Sequence, residues 1–137
     1  MESISDLIPS LAILLIEDEE ATLELLSIIL SKKFPDIALH TASNGRTGLE
    51  LFKTYSPDIV ITDINMPQMD GVQMVQNIQL IKPDSKIIVI SGKNEKSIMQ
   101  GLVGNGFKFD HFMEKPVIFQ KLFDAIEQCI GEISQQN

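Results

Sequence analysis

Short apolar runs alternate along this chain with stretches in which apolar residues recur at helical spacing. The first run, Leu11-Ala12-Ile13-Leu14-Leu15-Ile16, is followed by Leu25, Ile28 and Ile29 on a helical period. Ile37-Ala38-Leu39 then leads into a helix from about Gly45 that carries Leu49 and Phe52 and starts at a capping Asn44. Pro57 separates that helix from a third run, Ile59-Val60-Ile61-Thr62. Val72, Val75 and Ile78 continue at helical spacing until Pro83, and Ile87-Ile88-Val89-Ile90 forms the fourth run. A weaker helix spans about Glu95 to Leu102, with Gly101, Gly104 and Gly106 crowding its end. Phe107 to Met113 supplies a short fifth strand, and Ile118, Leu122, Ala125, Ile126 and Cys129 line a final helix. Continuous apolar runs bounded by turn residues suit strands buried on both faces, so the pattern predicts an α/β protein with five strand-helix units around a parallel sheet.

Composition narrows the function classes. The chain has 137 residues, 44% hydrophobic and 22% charged, which suits one domain large enough to bury a core. A net charge of −8 with no basic run argues against direct binding to nucleic acid or to an anionic membrane, which need clustered Lys and Arg. One cysteine, Cys129, can build neither a disulfide framework nor a cysteine-rich metal site. The first six residues, Met1 to Asp6, are acidic where a secretory signal is basic, and no apolar stretch approaches the roughly 20 residues that cross a bilayer. The expectation is a soluble, cytoplasmic protein. The expected organisation is an extension over residues 1–10, a folded domain over 11–131 and a polar tail over 132–137.

Chemistry enters through the residues that end the runs. Glu17 and Asp18 follow the first, Asp63 the third and Ser91 the fourth, while Lys115-Pro116 follows the fifth. In a parallel sheet these ends share the edge where open α/β folds place their ligands. Three carboxylates at one edge repel one another unless a cation joins them, and hard oxygen donors suit Mg²⁺, with Mn²⁺ as an alternative. A metal beside Asp63 also neutralises an incoming phosphoryl group, so that the carboxylate can act as a nucleophile.

The motifs Ile16-Glu17-Asp18-Glu19, Thr62-Asp63-Ile64-Asn65-Met66-Pro67-Gln68-Met69-Asp70-Gly71, Ile90-Ser91-Gly92 and Glu114-Lys115-Pro116 together resemble the receiver domain of two-component response regulators. The resemblance spans about residues 11 to 130 and implies a flavodoxin-like, doubly wound (βα)5 fold with strand order 2-1-3-4-5. It implies that Asp63 is the phosphoacceptor, served by a sensor histidine kinase or a histidine phosphotransfer protein. It also implies Mg²⁺ held by Glu17, Asp18, Asp63 and the backbone carbonyl of Asn65. Ser91 matches the switch hydroxyl, Lys115 the ion-pairing lysine and Phe112 the aromatic switch position, and the Lys115-Pro116 bond falls where a cis bond is tolerated. Asn65 and Lys93 occupy the two places that tune hydrolysis of the phosphoryl group. Beyond self-phosphorylation from a donor and self-dephosphorylation, no enzyme activity is expected. The output is expected at the surface of the fourth helix, fifth strand and fifth helix, toward a protein partner or an output domain, with phosphorylation-dependent homodimerisation among the outcomes. One departure stands out. Gly104-Asn105-Gly106-Phe107-Lys108-Phe109-Asp110-His111 stretches the usual tight turn into the fifth strand.

Blander readings compete for each residue. Acids at 17 to 20 also suit a helix N-terminus, worth roughly 0.3–1 kcal/mol each, and Asp63 also suits a turn cap. Asp70-Gly71 fits a turn or cap outright. His40 and His111 show no pattern for metal or catalysis. A flavodoxin-type cofactor carrier needs a phosphate cradle where this chain has Glu17-Asp18-Glu19-Glu20. An aspartyl phosphatase of the haloacid dehalogenase type resembles Asp-x-Asp, but Asn65 holds the second place here. The remaining alternative is a degenerate receiver that acts as a phosphorylation-independent interaction module.

Overall fold

The computed structural model describes residues 11–64, 71–92 and 95–136. Five strands, β1 (Ala12–Ile16), β2 (Ala38–Ala42), β3 (Ile59–Asp63), β4 (Lys86–Ser91) and β5 (His111–Glu114), alternate with five helices. The helices are α1 (Glu20–Lys33), α2 (Gly45–Tyr55), α3 (Gly71–Ile81), α4 (Lys96–Gly104) and α5 (Phe119–Gln136). All strand pairs are parallel, and the sheet order is β2-β1-β3-β4-β5.

Alternation along each strand divides the core into two layers, because successive side chains of a strand point to opposite faces. Leu14, Ile16, Val60, Ile87 and Val89 join Leu49 and Phe52 of α2, Met74, Val75 and Ile78 of α3 and Met99 of α4. Ile13, Leu15, Ile59, Ile61, Ile88 and Ile90 join Leu26 and Leu30 of α1 and Leu122, Ala125, Ile126 and Cys129 of α5. Helices therefore cover both faces. This explains why β3 and β4 are buried throughout and carry the apolar runs Ile59–Ile61 and Ile87–Ile90, with polar residues only toward their ends: a strand covered on two sides has no polar face.

The opposite edge of the sheet, where the strands begin, is closed by two aspartates. Asp58 accepts from the Ala12 amide at 3.1 Å and pairs with the Lys82 ammonium at 3.2 Å, and Asp110 accepts from the Ile87 amide at 2.7 Å. Each thereby satisfies a strand-end donor that lacks a ladder partner.

Four expectations need correction. Leu25 and Ile28 face solvent, and α1 instead buries Leu26 and Leu30, with Leu23 packed beside them. Adjacent leucines at 25 and 26 leave the helical period ambiguous by one position. The fifth strand starts at His111 rather than Phe107. Residues 102–107 close α4 instead: the Phe107 amide donates to the Leu102 carbonyl and the Gly106 amide to the Val103 carbonyl, with Gly106 at φ 92°. That is a Schellman ending, which needs the left-handed residue and explains why the connection is stretched. Ile118 precedes α5 and is exposed. Residues 132–136, expected as part of a polar tail, are helical, and Ile133 is buried in the core.

Candidate functional site

The parallel register brings the strand ends together. Ile16 lies beside Thr62, Asp63 beside Ile90, and Ser91 beside Glu114, so Glu17, Asp63, Ser91 and Lys115 emerge along one edge. Backbone pairing extends past the strands and fixes these positions: Glu17 N donates to Ala42 O at 3.1 Å, Ile64 N to Ile90 O at 3.2 Å and Lys115 N to Ser91 O at 2.8 Å. The Lys115-Pro116 peptide bond is cis.

Glu17, Asp18 and Asp63 present carboxylate oxygens that all lie within 4.8 Å of one another. Glu17 and Asp63 are nearly buried, at 1% and 4% exposure, while Asp18 faces solvent. The Lys115 ammonium donates to Asp63 Oδ2 at 2.5 Å and to Glu17 Oε1 at 3.4 Å. Burial is the main reason that the Glu17 pKa rises above its usual value. The Glu19 amide, which donates to Glu17 Oε1 at 3.2 Å, and the Lys115 charge pull it back, while the Asp63 charge adds to the rise. For Lys115, burial lowers the pKa, but hydrogen bonding and charge from Asp63, joined by Glu17, outweigh it and leave a net rise. An all-oxygen donor set with one exposed carboxylate fits a hard divalent cation that keeps part of its water.

Ser91 is fully buried at the end of β4, and its hydroxyl donates to Glu95 Oε2 at 2.6 Å. Phe112 on β5 is half-buried and meets the Phe109 ring at 6.3 Å. With Lys96, Met99, Gln100 and Val103, these two rings line a groove of about 310 Å³ between α4 and β5. Asn65 and Lys93 lie outside the described residues.

Two contributors escaped the sequence reading. One is Glu95, which looked like a routine helix start. The other is the tightness of Gly71, whose amide donates to Ile64 O at 3.0 Å. A Cβ there would stand 2.8 Å from Ile64 Cα and collide with the Asp63 carbonyl. Glycine thus lets α3 begin directly against the backbone that carries Asp63. The Asp70-Gly71 pair signalled a turn but not that contact.

A second group with ligand-type side chains, His111, Cys129 and Glu132, lies near the other edge. Glu132 already pairs with Lys86 at 3.6 Å. The Cys129 thiol is pushed up to about 12 by burial, with Asp110 and Glu132 adding to the effect. A protonated thiol beside an occupied carboxylate makes this a packing cluster.

Comparison with known proteins agrees with the geometry. The family model described as the response regulator receiver domain matches residues 13–127. The uncharacterized transcriptional regulatory protein YesN of Bacillus subtilis is 31% identical over 126 residues, covering 91% of this chain and 34% of the relative. The cell cycle response regulator CtrA of Brucella ovis is 32% identical over 118 residues, covering 86% of this chain and 49% of the relative. The chain thus spans between a third and a half of the length of these curated relatives. Among solved structures, a response regulator receiver domain protein from Clostridium thermocellum superposes with a TM-score of 0.80 at 28% identity, covering 93% of this chain and 99% of that one. The N-terminal domain of an uncharacterized Wolinella succinogenes protein does so at 0.82 and 30%, covering 93% and 100%.

Proposed function

The chain belongs to the response regulator receiver domain family of two-component signalling, and on that premise we propose that it is a phosphorylation-operated switch whose phosphoacceptor is Asp63. The observation that carries this reading is the convergence of Asp63, Glu17, Asp18 and Lys115 at the strand ends. An Asp63 carboxylate oxygen attacks the phosphorus of a phosphohistidine on a sensor kinase or phosphotransfer protein. The O–P bond forms, the N–P bond breaks, and its electron pair returns to the imidazole. Lys115 is placed to pair with the new phosphoryl oxygens as it now pairs with Asp63, and Ser91 offers a hydroxyl donor from the neighbouring strand end.

Glu17, Asp18 and Asp63 would hold Mg²⁺ or Mn²⁺, joined by the Asn65 carbonyl. The bound ion would supply charge neutralisation between the carboxylates and the phosphoryl group. Asn65 and Lys93 set the phosphoryl lifetime. Phosphorylation shifts a pre-existing equilibrium through Ser91 and Phe112 to the surface of α4, β5 and α5, where an output domain, a separate protein or a second copy responds. The receiver unit is assigned to residues 11–136, the helix α5 running to Gln136, and the site of action is the cytoplasm. Among the described residues, no helix is long and apolar enough to cross a membrane.

The test is intact mass after incubation with acetyl phosphate or phosphoramidate, with and without Mg²⁺. The wild type should gain one phosphoryl group only with the metal, and Asp63→Asn should gain none. Equal incorporation by that variant would reassign the acceptor. No adduct even from a cognate kinase would favour an interaction module.

A further inference from the structure

Glu95 occupies the hydroxyl that the switch needs. Its Oε2 accepts from Ser91 Oγ at 2.6 Å and from the Gly92 amide at 3.1 Å, and its own amide donates to Gly92 O at 3.0 Å. The carboxylate is thus folded back onto the end of β4, while its backbone stands at the first position before α4. Ser91 is fully buried, and its other neighbouring acceptor is the Gly92 carbonyl, at a long 3.4 Å. A serine hydroxyl has one proton to donate.

We propose that Glu95 is a latch: it holds the Ser91 hydroxyl in the resting arrangement and ties that hydroxyl to the N-terminus of α4, so that phosphorylation must displace it. The inference rests on the phosphoacceptor reading and adds the residue that opposes the switch. For Ser91 to donate to a phosphoryl oxygen on Asp63, the bond to Glu95 must break, and the hydrogen bond is exchanged without net proton transfer. Hydrogen bonds to a carboxylate are among the stronger ones, so the resting state is favoured while the latch is closed. The incoming dianion also repels Glu95, which drives the carboxylate away from Ser91 as the hydroxyl turns. Release frees the side chain at the start of α4. Movement at the site therefore reaches the output surface through Glu95 directly, alongside the aromatic position at Phe112.

The latch predicts that weakening Glu95 favours the activated state. The probe is beryllofluoride, a phosphoryl mimic, titrated with Mg²⁺ into wild type, Glu95→Gln, Glu95→Ala, Ser91→Ala and the Ser91→Ala/Glu95→Ala double variant, with binding read by calorimetry. Glu95→Ala should bind about three- to tenfold more tightly than wild type, since removing a contact made only in the resting state raises the competent fraction. Glu95→Gln, which keeps the shape and loses the charge, should shift in the same direction by less. In the Ser91→Ala background, the Glu95 substitution should give a clearly smaller gain, because only the charge repulsion and the Gly92 contact remain there while the bond to the hydroxyl is already gone. Wild-type binding with Glu95→Ala equal to or weaker than wild type overturns the latch alone, as does an equal gain from Glu95→Ala with and without Ser91. A folded wild type that binds no beryllofluoride overturns the phosphoacceptor reading and the latch with it.

Discussion

Lys115 Nζ lies 3.4 Å from Glu17 Oε1 while it donates to Asp63 Oδ2, so one partly exposed ammonium serves two nearly buried carboxylates. In the metal-free protein this lysine is the cation that makes their burial tolerable. Lys115→Met should therefore destabilise that state by roughly 1–2 kcal/mol, a figure reduced for the solvent around the lysine. Urea unfolding in EDTA measures the loss, and excess Mg²⁺ should recover much of it. Because the Lys115 pKa is raised from 10.5, its contribution is complete below pH 10.5 and fades as pH climbs through the folded value. An unchanged urea midpoint would show that the ion pairs are energetically idle.

Glu17 shares the direction of the pH dependence but differs in effect, since its charged form is the one that burial disfavours. Its pKa is raised from 4.5, chiefly by burial, so between 4.5 and its folded value the native state holds a proton that the unfolded chain has released. Stability falls as pH rises through that window. In EDTA, Glu17→Gln should melt above wild type once the window is passed, and the two curves should converge below pH 4.5. Added Mg²⁺ should raise the wild type more than the variant. Melting curves that stay parallel at every pH would contradict this assignment.

Gly71 and Gly106 give a paired test of what a methyl group meets. At Gly71 the added Cβ collides with the backbone of Asp63 and Ile64, so Gly71→Ala should cost about 1–3 kcal/mol and lower Mg²⁺ affinity as well. At Gly106 it meets open space, and only the φ of 92° resists. Gly106→Ala should cost about 1–2 kcal/mol and leave Mg²⁺ affinity intact. Unfolding curves and metal titrations together separate the two.

Asp58→Ala strands the Ala12 amide at the start of β1 and takes the carboxylate partner from the Lys82 ammonium, which keeps only the Ser56 and Pro57 carbonyls. A loss of about 1.5–3 kcal/mol is expected for hydrogen bonds to a charged group. Phosphorylation should persist in the folded fraction, because Asp58 closes the edge opposite Asp63. Loss of phosphorylation without loss of stability would mean that the two edges are coupled.

The fold was legible because its signals are local and redundant. Two-sided burial makes β1, β3 and β4 continuous apolar runs, and Asn44 does cap α2, its Oδ1 accepting from Thr47 N at 2.8 Å. The candidate site was legible because its residues end strands, and a parallel register turns sequence punctuation into proximity. What was not legible depends on partners distant in the chain or on choices between neighbours. The face of α1 turns on one position between Leu25 and Leu26. Glu95 and Gly71 carry no pattern of their own, since the role of each comes from the group packed against it. Phe107 and Phe109 have strand-forming side chains, yet the Gly106 ending and the Asp110 bond to Ile87 hold that segment outside the sheet until His111.

Cys129 is completely buried on the sheet-facing side of α5, and its thiol is pushed up to about 12. A thiol reagent can therefore reach it only when α5 lifts from the sheet, so the native chain already contains a reporter of that opening. When reclosing outpaces labelling, the rate of modification measures the free energy of detaching α5. If phosphorylation loosens or tightens the α5 surface, the same sulfur will register the change as a faster or slower clock, with no label introduced and no residue replaced.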